Sequence, residues 1–147
     1  TPGKVAFIFT GLNGRAMVGN RILDFYLAQR GYQTIFLRDV QRFAFGKGVK
    51  SLGDSRQDTI TFMQTFCETQ DCNDPLIIGA SIGTFGAVSH GIPMGATRFI
   101  LFGPVAAGGD KNFLLSLGDL RGQALLTRAR RAIPEGERSS KFDDHRL

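Results

Sequence analysis

Residues 75–83 read Pro75-Leu76-Ile77-Ile78-Gly79-Ala80-Ser81-Ile82-Gly83, and this stretch decides the fold. Its first part is apolar without alternation, the pattern of a short strand buried on both faces. From Ile82 to His90 the sequence is helix-like. A strand that passes into a helix this quickly has to bend sharply, and Gly79 and Gly83 leave room where strand, turn and helix crowd together. Such a bend forces Ser81 into a strained backbone conformation and lifts its Oγ off the sheet. The hydroxyl then lies near the unpaired N–H groups of the new helix, where a developing anion is stabilised.

Upstream, Val5-Ala6-Phe7-Ile8-Phe9 is a second apolar run, ended by the turn-like Thr10-Gly11-Leu12-Asn13-Gly14. Between about 16 and 30, apolar groups recur at Val18, Ile22, Phe25 and Tyr26, with Leu23 and Leu27 beside them, and Gly31 ends that helix. Thr34-Ile35-Phe36-Leu37 is a strand. Residues 40–53 are irregular, with Phe43 and Phe45 ahead of three glycines. Ser55 with Asp58 three positions on is a capping-box-like start, and Ile60, Met63, Phe66 and Cys67 share one face of the helix behind it. Arg98 to Phe102 is a fourth strand, closed by Gly103-Pro104. Leucine-rich helical sequence spans about 111–133, and a polar tail occupies 134–147. The expected organisation is one domain over 1–133 followed by that tail.

Strands apolar on both faces, alternating with helices, predict an α/β fold. The expected architecture is a three-layer parallel sheet of about four strands, order 2-1-3-4, with helices on both faces. Ligands of such sheets bind beyond the carboxyl ends of the strands, where the winding reverses. Here that point lies between the first and third strands. The Gly11–Gly14 turn and Ser81 should therefore face one crevice, with the amides of Leu12 and Ile82 available to an oxyanion and Gly11 beside the substrate.

With Gly79-Ala80-Ser81-Ile82-Gly83 and Thr10-Gly11-Leu12-Asn13-Gly14 in this order, residues 4–104 resemble the α/β-hydrolase superfamily. The resemblance implies that Ser81 is the nucleophile and that Leu12 and Ile82 supply the oxyanion hole. It also implies an acid and a histidine further along. His145 is the only histidine after Ser81, and Asp110, in the loop beyond the fourth strand, is the candidate acid. The chain departs from the family at Thr10, where many members carry His, and in having no later strand. The downstream half is then expected to be missing from this chain, or the machinery to have decayed. The sheet edge would be left to a partner chain or to a missing C-terminal segment. Thr1 in place of Met is expected of a chain trimmed or cut from something longer.

Each of these residues also has a plainer role. Ser81 could be structural in a glycine-rich turn. His90, next to Gly91, reads as a helix-ending histidine. His145 also fits a solvated tail beside Asp143 and Asp144, and Asp110 a helix N-cap. Phe43 and Phe45 could line an acyl pocket or fold back onto the core.

The net charge of +5 from 18 basic and 13 acidic residues is dispersed, its one cluster being Arg128-Ala129-Arg130-Arg131, so no nucleic-acid partner is expected. No apolar run approaches the ~18 residues of a membrane span. Cys67 and Cys72 read as reduced thiols of a cytoplasmic protein. With only two histidines beside them, no metal site is expected, and no cofactor is called for. The expected function is that of a serine hydrolase or acyltransferase acting on a small-molecule ester or thioester. The alternative is a hydrolase-like binding or interaction domain without turnover. A lesser alternative is nucleotide or phosphate binding at the Gly11–Gly14 turn. The glycines at 11, 14 and 19 lack dinucleotide spacing, however, and no Gly-Lys-Ser/Thr is present.

Overall fold

Strand β1 (Lys4–Phe9) opens the fold, followed by α1 (Asn20–Ala28), β2 (Tyr32–Leu37), α2 (Arg56–Thr69), β3 (Leu76–Ala80), α3 (Gly83–Gly91) and β4 (Arg98–Phe102). These elements come from a computed structural model in which residues 2–103 are described. The leucine-rich stretch at 111–133 and the polar tail lie outside them. The four strands form one parallel sheet in the order β2-β1-β3-β4, as the alternation of strand and helix predicts.

The pleat of β1 divides the interior in two. Val5, Phe7 and Phe9 point to the layer that holds Met63 and Cys67 of α2 and Ala87 of α3. Ala6 and Ile8 point to the opposite layer, against Leu23 and Leu27 of α1. Helices on both faces follow from right-handed crossovers, because the chain steps one way from β1 to β2 and the other way from β2 to β4. Each fully buried Phe or Ile of this centre contributes roughly 2–3 kcal/mol of transfer free energy. A capping box on α2, with Ser55 and Asp58 exchanging side-chain and backbone bonds, fixes where that helix starts.

Helix α1 is rotated from the reading that its period suggested. Leu23 and Leu27 face the sheet, while Ile22 and Phe25 are 66% and 65% exposed and Val18 and Tyr26 are exposed beside them. The helix is also shorter than expected at its start. Met17 takes a positive φ of 55°, and residues 16–18 form a kink ahead of Asn20. At the sheet's edge, Ile100, Leu101 and Phe102 of β4 are exposed. Among the described residues no helix is long and apolar enough to cross a membrane.

Candidate active site at the strand–helix turn

Register alone brings the carboxyl ends together. Phe9 pairs with both Leu37 and Gly79, and Ala80 pairs with Phe102, so the turns leaving β1 and β3 emerge side by side. Ser81 takes the first position beyond β3, with φ 52° and its side chain exposed. A non-glycine residue in this left-handed region costs on the order of 1–2 kcal/mol, so the surroundings have to enforce it. Three hydrogen bonds do so. The Ser81 amide donates to the Phe102 carbonyl at 2.9 Å, tying the turn to the end of β4. The Ser81 carbonyl accepts from the Thr84 amide at 2.9 Å and from the Thr84 hydroxyl at 2.7 Å.

The two flanking glycines are sterically required. A Cβ at Gly83 would lie 2.1 Å from the Phe9 carbonyl oxygen, and one at Gly79 would lie 2.7 Å from Thr84 Cα. Helix α3 therefore starts in backbone contact with the end of β1, and the glycine turn after β1 adjoins the Ser81 turn. Gly11 is part of the same contact, since a Cβ there would meet the Ala80 carbonyl at 3.5 Å.

The glycine turn is built to be rigid. Gly14 N donates to Gly11 O, and Gly11 N to Arg15 O, each at 2.9 Å. Asn20 closes the loop by donating from Nδ2 to Gly14 O and accepting at Oδ1 from Ala16 N. Thr10, where the hydrolase resemblance has a histidine, is buried, and its hydroxyl donates to Leu37 O at 3.1 Å. It locks the end of β1 onto β2. Among the described residues, the amides of Leu12, Asn13 and Ile82 donate to no acceptor. Leu12 is exposed. Ile82 N opens the N-terminal turn of α3, the end of a helix at which an anion is stabilised.

Phe45 and Phe43 separate. Phe45 takes the core placement: it is fully buried, its ring 5.1 Å from that of Phe9 and 6.4 Å from the His90 imidazole. Phe43 is half-buried, with the Lys47 ammonium 4.2 Å from its ring centroid. The loop between them is shaped by Asp39, whose carboxylate accepts from the Gln41 and Phe45 amides. Positive φ values at Arg42, Ala44 and Phe45 follow from that fold-back.

His90 is buried and takes no part at Ser81. Its Nδ1–H donates to the Gly86 carbonyl at 2.8 Å, since a carbonyl only accepts. Nε2 is buried without a hydrogen-bond partner among the described residues. Burial pushes the imidazole down to about 4, with the Arg56 charge acting in the same direction against the Gly86 bond. His145 and Asp110 lie outside the described residues.

Sequence reasoning passed over two features of this rim. Phe102 O, which holds Ser81 in place, becomes visible only once β4 is paired with β3. Arg38 lies against the glycine turn, its Nε at 3.1 Å from where a Gly14 Cβ would be. Its position just beyond β2, at the carboxyl end of the sheet where parallel α/β sheets generally bind ligands, was the available signal.

Among the described residues no group of His, Cys, Asp or Glu could hold a metal ion. Comparison with protein-family models, with curated proteins and with solved structures finds no match to this chain.

Proposed function

We propose that the chain is a serine hydrolase or acyltransferase of the α/β-hydrolase kind, acting on a small-molecule ester or thioester through an acyl-enzyme on Ser81. One observation carries the reading: an exposed serine is held at φ 52° between two sterically required glycines, next to an Ile82 amide with no other acceptor. Backbone strain of this kind persists where the surroundings enforce it, and at active sites it pre-organises a group for chemistry.

In this reading Ser81 Oγ attacks the substrate carbonyl, and the Leu12 and Ile82 amides hold the oxyanion that forms. A histidine takes the serine proton and passes it to the departing alcohol or thiol, and water or a second acceptor then releases the acyl group. His145, oriented by Asp110, is the residue proposed for that role. A partner chain or further segment at the exposed β4 edge belongs to the same proposal.

The test is covalent labelling by a fluorophosphonate probe. Labelling of the native protein that disappears in Ser81→Ala supports the reading; no labelling, or labelling that survives the substitution, removes it. A second reading, anion binding without turnover, is favoured by the Arg38 guanidinium lying against the Gly14 turn. It requires phosphate to bind with no ester hydrolysis in either protein.

A further inference from the structure

The end of helix α2 carries a feature unrelated to Ser81. Gln70 closes the helix, Asp71 takes φ 51°, and two backbone bonds follow: Asp71 N to Glu68 O at 3.2 Å and Cys72 N to Cys67 O at 2.9 Å. This is a Schellman cap, with Asp71 in the left-handed position that glycine usually takes. In that motif the residues joined by the longer-range bond touch through their side chains, a contact normally made by two hydrophobes. Here both are cysteines.

Backbone geometry limits how far apart they can be. With 2.9 Å between Cys72 N and Cys67 O, standard bond lengths keep the two Cα atoms within roughly 6.8 Å, the outer limit that a disulfide spans. Both thiols are free. Both also line a cavity of about 410 Å³ at the amino ends of β3 and β4, whose other walls include Gln64, Glu68, Asn73 and Met94. The cavity is at the end of the sheet opposite Ser81.

We propose that Cys67 and Cys72 are a redox-active dithiol, a modification site that closes to a disulfide by exchange with a low-molecular-weight disulfide entering this cavity. Burial, and next the neighbouring Cys72 thiol, push Cys67 up to about 12, so Cys67 stays protonated and Cys72 attacks first. The Cys72 thiolate bonds to one sulfur of the small disulfide and expels the other half as a thiolate, which takes up the proton that Cys72 lost. Cys67 then gives its proton to water and attacks the Cys72 sulfur, expelling the second half as a thiolate, which takes that proton from the water. Two protein thiols are oxidised and one disulfide is reduced to two thiols.

The full chain is incubated with oxidised and reduced glutathione at graded ratios, quenched in acid, and examined by intact mass and non-reducing peptide mapping. The expected result is loss of both titratable thiols, a mass lower by two hydrogens, and one peptide pair linked through Cys67 and Cys72. Cys67→Ser is expected to stop at a glutathione adduct on Cys72, and Cys72→Ser to remain largely unmodified. Two free thiols in the native chain at the most oxidising ratio, or linkage only between chains, would overturn the proposal. Circular dichroism of both variants checks that the comparison is between folded proteins.

Discussion

Acidification should weaken this fold through one buried ring. His90 is fully buried beneath Phe9 and Phe45, faced by Arg56 from α2, and its Nε2 has no partner among the described residues. Its pKa falls from 6.5 to about 4 in the folded state, with burial as the main cause. The unfolded chain therefore binds the proton more readily than the native one. The stabilisation is complete above pH 6.5, is lost progressively as pH falls toward 4, and changes no further once both states are protonated. At 1.36 kcal/mol per unit the whole loss is roughly 3 kcal/mol. Urea melts at steps between pH 8 and pH 4.5 measure it. With a slope near 1–3 kcal/mol per molar, the midpoint should fall by about 1 M or more across the window. Asp58 and Asp74 are both held below the ordinary 3.8 by hydrogen bonds, to Ser55 and to Thr97 respectively. Their stabilising effects fade only as pH falls through those lower values, outside the window. His90→Leu supplies the control, because the pH slope is compared and not the absolute stability. Midpoints that run parallel with pH in the two proteins would refute the argument.

Two further outcomes follow from the Ser81 turn. Gly83→Ala places a methyl group 2.1 Å from the Phe9 carbonyl, and thermal melting should show a loss of ~3 kcal/mol or more, since backbone cannot move aside cheaply; a melting temperature within a degree of the parent's would contradict the contact. Ser81→Gly should be more stable than Ser81→Ala by about 1 kcal/mol, because only glycine relaxes at φ 52°; equal stability in denaturant melts would mean that the turn carries no strain.

Much of this molecule is legible from residue order alone, for a reason local to each element. The strands announce themselves because a parallel sheet buried on both faces needs unbroken apolar runs, and Val5–Phe9 and Leu76–Ile78 are such runs. Handedness of the crossovers then leaves few strand orders, and 2-1-3-4 is the observed one. The bend at Ser81 is visible because glycine at 79 and 83 has few other uses between a strand and a helix. Other features needed three dimensions. Helix α1 carries two adjacent stripes of helical period, and periodicity cannot tell which one docks; the sheet accepts Leu23 and Leu27 and leaves Ile22 and Phe25 to solvent. Phe45 was equally suited to pocket or core until Asp39 folded its loop inward. His90 could be placed at a helix end but not inside the protein, because its burial comes from Phe9 and Phe45, distant in sequence. The cysteine pair was hidden for a local reason: Asp71, not glycine, takes the left-handed position that brings Cys67 and Cys72 together. Short-range pattern thus specifies what each segment becomes. Which of its surfaces meets another segment is decided by packing, since a contact energy belongs to two partners and only one of them is local.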